Sequence, residues 1–175
     1  MTERPTEREA PAAAQRSIVK IVSPTVDWYR QIYRAVGADW LWWSRLAMDK
    51  KTLASILQHP DVQIYALREG ERDLGLLELD YRTEGDCELA FLGLVADAIG
   101  TGGGRILMEH AIATAWSRPI NRFWVHTCTL DDPRALGFYR RSGFSVVRQE
   151  VEIAPDPRLI GLLPESAAPH VPILR

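Results

Sequence analysis

The chain has 175 residues, 46% hydrophobic and 25% charged, with a formal net charge of −2. This is the size and composition of one soluble globular domain with a substantial core, which excludes a disordered or fibrous chain. The near-neutral balance gives no general pull toward nucleic acid or an anionic membrane, two cysteines are too few for a disulfide framework, and no apolar run approaches the roughly 20 residues of a spanning helix.

The first 16 residues, "MTERPTEREAPAAAQR", mix acids with arginines and have no apolar centre. They read as a mobile tail and not as a secretory signal, and with the sparse cysteines they point to a cytoplasmic protein. The domain is expected over 17–153. "SIVKIV" predicts a first strand, followed by a helix with Ser23 as cap, Pro24 in its first turn and Gly37 as its stop. The aromatic-rich "DWLWWSRLAMDKKTLASILQHP" turns helical and ends before Pro60. "VQIYALREGERDLGLLELDY" predicts two strands joined at "REGERD", with Glu78 and Asp80 on one face of the second and Leu77 and Leu79 on the other. "CELAFLGLV" is a further strand.

A helix follows from about Gly103 to Trp116, since Met108, Ala111, Ile112 and Ala115 keep the spacing of a buried stripe. "RFWVHTCTL" reads as a strand and "DDPRALGFYRRSGF" as a short helix capped by Asp132, with Gly143 past its end. "FSVVRQEVEI" predicts a last strand. The stretch 154–175 holds five prolines and is expected to lie extended on the surface or against a partner. The whole is an α/β domain with a mixed sheet, and its strand–helix–strand unit is long enough for a right-handed parallel crossover.

Four of the five residues from Gly100 to Gly104 are glycine, at the junction of a strand and a helix. Glycine permits positive φ and leaves backbone N–H groups bare, and a helix start adds unpaired donors and the positive dipole end, so a phosphate fits there. A P-loop needs Lys-Ser/Thr after its last glycine, where this chain has Arg105-Ile106, and the dinucleotide fingerprint meets Arg105 where its third glycine belongs. A third pattern, R/Q-x-x-G-x-G/A, is matched from its fourth position by Gly102-Gly103-Gly104.

"LGLVADAIGTGGGRILMEHAI" is similar to the cofactor segment of the GNAT superfamily of acetyl-CoA-dependent N-acyltransferases, and "DDPRALGFYRRSGF" resembles that family's late Asn-x-x-Ala-x-x-x-Tyr-x-x-x-Gly-Phe segment. The resemblance runs over roughly Ser17 to Ile153 and implies a GNAT-like fold whose two parallel strands splay around the cofactor. By resemblance those strands are Cys87–Val95 and Arg122–Cys128, and Gly93 is the expected bulge that opens them. The implied cofactor site comprises Leu94, Val95, Ile99, Gly100, Thr101, Gly102, Gly103, Gly104, Arg105 and Asp132, with the Leu94 N–H as donor to the thioester carbonyl. Ile99 stands where the family usually has Arg or Gln, and Asp132 where Asn is common.

The same resemblance assigns Glu88 as the base that deprotonates an attacking amine, with Glu78 or water as alternatives, and Tyr139 as the acid that protonates the departing thiolate. His126 and Cys128 are expected to be core or lining residues, and the dispersed histidines show no metal-ligand pattern. Trp28, Tyr29, Tyr33, Trp40, Trp42 and Trp43 offer aromatic faces for a small-molecule or peptide amine, or simply helical core. The implied activity is acetyl transfer to a primary amine in a ternary complex. A non-catalytic acyl-CoA-binding or interaction module is the competing reading, and a homodimer is expected by family analogy.

Overall fold

A computed structural model of the protein describes residues 1–6 and 15–175. Five strands form one sheet in chain order: β1 (Arg16–Lys20), β2 (Val62–Glu69), β3 (Arg72–Asp80), β4 (Asp86–Leu94) and β5 (Arg122–Val125). The pairs β1–β2, β2–β3 and β3–β4 are antiparallel, while β4 and β5 are parallel. The turn at Gly70 (φ +59°) closes the β2–β3 hairpin.

One face of the sheet carries α1 (Val26–Gly37), α2 (Ser44–Ala47) and α3 (Lys50–Leu57). Local chemistry sets their starts. The Thr25 hydroxyl accepts the Trp28 N–H (3.1 Å), so α1 is capped by Thr25 and Pro24 falls outside it, a correction to the predicted Ser23 cap. Asp49 caps α3 through the N–H groups of Lys51 and Thr52. The other face carries α4 (Gly103–Ala115) and α5 (Ala135–Arg141).

Each face buries its own core. Leu77, Leu79, Cys87, Leu89, Leu107, Met108, Ala111 and Phe123 pack under α4, and Tyr29, Tyr33, Leu53, Ile64 and Leu76 pack under α1 and α3. The predicted alternation in β3 holds, although its polar half is buried too: Glu78 is wholly buried and Asp80 is 8% exposed. Among the described residues no helix is long and apolar enough to cross a membrane.

Three expectations are corrected. Phe144–Ile153 forms no strand: the β5 residue Phe123 exchanges both backbone hydrogen bonds with Met1 (2.9 and 3.0 Å), and Ser145–Pro155 runs exposed without regular structure. Of the tail expected to be mobile, Met1 is therefore docked, and 7–14 lie outside the described residues. The proline-rich end, expected to lie extended on the surface or against a partner, folds back onto the chain's own core. Leu163, Ala167 and Ala168 enter the α1 core, and the buried Arg158 donates to the carbonyls of Ala167, Ala168 and Val171.

Gly93 is not a bulge. It pairs regularly with Leu76, and a Cβ there would lie 2.4 Å from Val36 Cγ1 and 3.3 Å from the Trp42 ring, so the missing side chain lets α1 approach β4. Gly93→Ala should cost about 1–3 kcal/mol through overpacking, read as a lower midpoint in chemical denaturation with an unchanged m-value.

Candidate active site

The sheet opens along β4. Its parallel ladder with β5 runs from Asp86↔Arg122 to Leu89↔Val125 and stops, whereas its antiparallel ladder with β3 continues to Gly75↔Leu94. Ala90–Leu94 is thus strand on one side and free edge on the other. The register with β3 slips between Glu78↔Phe91 and Leu79↔Leu89, leaving Ala90 as the extra residue of a bulge at the fork. The Val95 N–H is spent on Leu74 O (2.9 Å), and alternation along an antiparallel strand turns the Leu94 N–H away from β3, toward the gap.

The glycines at the head of α4 divide into two kinds. Gly100 (φ +83°) and Gly102 (φ +87°) hold left-handed backbone with nothing within 4 Å of an added Cβ, so they shape an open turn. Gly103 is a packing glycine, with Leu67 and Leu94 side chains at 2.9 and 3.2 Å from its would-be Cβ. The Thr101 hydroxyl donates to Ala98 O and receives Arg16 Nη1, both at 2.6 Å, which fixes the turn. The amides of Arg105 and Ile106 return to Gly102 O (3.1 and 3.2 Å), so the first amides of α4, Gly103 and Gly104, are the ones its geometry turns outward. Ile99 is half-buried just before this turn.

Glu78, Asp80 and Glu88 share the α1-side face of the sheet, with Trp124 opposite Glu88 across the parallel ladder. A cleft there is lined by Asp80, Arg82, Thr83, Asp86, Glu88 and Trp124. Asp80 is held by Arg82 and Asp86 by Arg122. Burial, reinforced by the Asp80 carboxylate and by Glu78, raises the Glu88 carboxyl above its usual range, against the pull of Arg45 and His126. The two glutamates differ sharply in availability. Glu78 receives the Tyr29 hydroxyl and pairs with the buried Arg45 guanidinium (2.5 Å), whose charge also sits 5.2 Å from the Phe91 ring.

Tyr139 is buried against Phe138 and Phe144, and burial followed by the Asp131 charge raises its hydroxyl well above the ordinary tyrosine value. Asp132 turns inward on its own loop, accepting the backbone N–H and guanidinium of Arg134, and α5 starts at Ala135, later than the predicted cap. His126 and Cys128, expected to be core or lining residues, are exposed and so are not core. Sequence reasoning missed Arg45 and Asp131, and gave Trp42 only as one of several aromatic faces. Asp131 takes the Trp42 indole N–H (3.3 Å), the Thr127 hydroxyl and the Cys128 N–H, tying the β5–α5 loop to the aromatic cluster of Tyr33, Trp42 and Phe91 over the fork. The arginine inside "WWSRLA" was the available signal: a cation among buried aromatics needs an acid on the facing strand.

A splayed parallel pair, a bulge at its fork and a glycine turn heading the intervening helix define the acetyltransferase architecture. The model of the Acetyltransferase (GNAT) family matches residues 24–144, and the chain belongs to that family. A comparison with curated protein sequences gives no match. Among solved structures, an aminoglycoside acetyltransferase from an uncultured soil metagenomic sample is similar at 17% identity and TM-score 0.65, covering 82% of this chain and 97% of the other. A GNAT family protein of Streptococcus pneumoniae gives 19% identity and TM-score 0.60, covering 79% and 98%. The ribosomal-protein-S18-alanine N-acetyltransferase of Escherichia coli gives 18% and 0.60, covering 76% and 79%. At these identities the likeness establishes a shared fold.

Arg45→Ala should destabilise the protein by about 3–5 kcal/mol, because Glu78 is left charged and uncompensated in the core. The double variant Arg45→Met/Glu78→Leu should recover most of that loss, measured by urea denaturation.

Proposed function

We propose that the protein moves an acetyl group from acetyl-CoA to a primary amine by direct attack in a ternary complex. The observation that carries this reading is the free edge of β4 from Ala90 to Leu94, flanked by the open glycine turn at the head of α4. The cofactor would supply an activated thioester. The bare amides of Gly103 and Gly104 and the dipole of α4 suit its pyrophosphate, with Gly100 and Gly102 leaving room for close approach. The free side of β4 suits the amides of its arm, and the outward Leu94 N–H is placed to donate to a carbonyl oxygen in the fork. Asp132 contributes through its loop, since its carboxylate is already taken by Arg134.

Glu88 is the better base of the two glutamates. Its pKa is raised toward the working pH, and it faces a cleft where an ammonium can sit beside Trp124, whereas both oxygens of Glu78 are already bonded. Glu78 therefore acts as the anchor of Arg45. Tyr139 is assigned as the acid for the leaving thiolate by the family resemblance; burial and the Asp131 charge make its hydroxyl a weaker donor than an ordinary tyrosine, so the role requires the bound thiolate to approach it directly. The fold is shared by an aminoglycoside acetyltransferase solved in complex with sisomicin and by a ribosomal-protein-S18-alanine N-acetyltransferase, so a broad amine panel is the apt assay.

Three outcomes follow. Acetyl transfer should rise with pH as Glu88 loses its proton, and Glu88→Gln should lower the rate on the order of 100-fold and remove that limb. Because the folded-state pKa of Glu88 is raised, its ionisation weakens the fold as pH climbs through that pKa, so Glu88→Gln should leave the midpoint of thermal unfolding at neutral pH equal or higher. Tyr139→Phe should slow turnover on the order of 100-fold with acetyl-CoA affinity kept, measured by calorimetry. Binding of acetyl-CoA without transfer to any amine would instead favour the non-catalytic module, a reading to which Ile99 lends support.

A further inference from the structure

Ile99 brings no charge to the glycine turn, and the structure delivers a cation there from a distant part of the chain. Arg16 opens β1 and stands opposite Glu69 in the antiparallel ladder with β2. Alternation puts Arg16 on the face of Ile18 and Glu69 on that of Leu67. Ile18 and Leu67 both belong to the core under α4, so the two charged side chains rise beside the head of that helix. There Glu69 accepts Arg16 Nε (3.0 Å), while Nη1 donates to the hydroxyl of Thr101 (2.6 Å), 85 residues away in the chain. The Arg16 side chain is only 16% exposed, against 44% for Glu69, so water screens the carboxylate more than the guanidinium. Thr101 sits between Gly100 and Gly102, both with positive φ, where bare backbone has the most freedom to lose. Amides that must be ordered at the moment of binding give up affinity, and a clamp from outside the turn removes that loss.

We infer that Arg16 is a positioning residue for the cofactor: through Thr101 it holds the glycine turn in its anion-receiving shape, and its guanidinium supplies from β1 the positive charge that Ile99 does not. Glu69 aims the guanidinium by occupying its Nε edge, which leaves Nη1 for the turn. The Thr101 hydroxyl carries the restraint onward, because it also donates to Ala98 O (2.6 Å) and so ties both ends of the segment before α4. The inference rests on the acetyl-CoA reading above, and it accounts for a departure from the family pattern that otherwise speaks against that reading.

Titration calorimetry with acetyl-CoA tests it. Arg16→Gln should raise the dissociation constant on the order of tenfold, because a charge-assisted hydrogen bond and a local cation are lost together, while kcat at saturating acetyl-CoA stays within about twofold of the wild type. Glu69→Gln breaks the same ion pair but keeps Arg16 on Thr101, so its affinity should be equal or tighter; a pair that merely pinned β1 to β2 would make both variants weaken alike. Transfer from S-acetylpantetheine, which lacks the pyrophosphate, should be the same in Arg16→Gln and the wild type. In the ligand-free protein, hydrogen exchange at the Thr101 and Gly102 amides should quicken in Arg16→Gln and not in Glu69→Gln. The inference is overturned if Arg16→Gln binds acetyl-CoA as tightly as the wild type, loses S-acetylpantetheine transfer to the same degree, leaves that exchange unchanged, or is matched in its loss by Glu69→Gln. A wild type that binds no acetyl-CoA would instead overturn the cofactor reading itself.

Discussion

The site rests on β4 belonging to two ladders of unequal length. Hydrogen bonds to β3 carry the strand on to Leu94, while those to β5 end at Leu89↔Val125. A backbone edge released inside a sheet, flanked by core on both faces, is a costly feature, because its donors and acceptors need partners. A ligand with alternating amide groups satisfies it. The bulge at Ala90 lies where the ladders part and re-aims the strand at that point.

The two faces of the sheet then take different roles. On the α4 side, apolar packing and the close approach allowed by Gly103 bring the head of the helix against Leu67 and Leu94, so the glycine turn lies next to the released edge. On the α1 side the core is partly polar. Tyr29, Arg45 and Glu78 form a buried unit in which one carboxylate satisfies a phenol and a guanidinium. Such a unit stabilises little in net terms but strongly disfavours any arrangement that separates its members. It also leaves the charge of Arg45 close enough to oppose the rise in the Glu88 pKa that burial and Asp80 cause. The balance keeps Glu88 titratable and separate from the structural acids beside it.

The aromatic segment between α1 and α3 reads as substrate surface or as core, and the structure divides it. Tyr29 and Tyr33 are fully buried, whereas Trp42 reaches across to Asp131 and joins the β5–α5 loop to the helices over the fork. The folded-back C-terminal segment completes this side: Leu163 and Ala168 pack with the same aromatics, and His170 stacks edge-on against Trp40.

Local chemistry by itself determined most of the elements: the helical stripe of Met108, Ala111, Ile112 and Ala115, the hairpin at Gly70, and the positive-φ demand met at Gly100 and Gly102 are all written in short-range spacing. The family resemblance was legible for the same reason, since its two motifs are contiguous. What needed tertiary structure were matters of long-range competition. Gly93 reads as a bulge in sequence, but its bareness serves Val36 and Trp42 from another element. Phe144–Ile153 has the pattern of a strand, yet a strand exists only where an edge is free, and Met1 holds that edge at Phe123. Glu78 and Glu88 look alike along their strands, and only the placement of Arg45 and Tyr29 separates a bonded anchor from an available carboxylate, because burial and partners, not residue type, set what a buried acid can do.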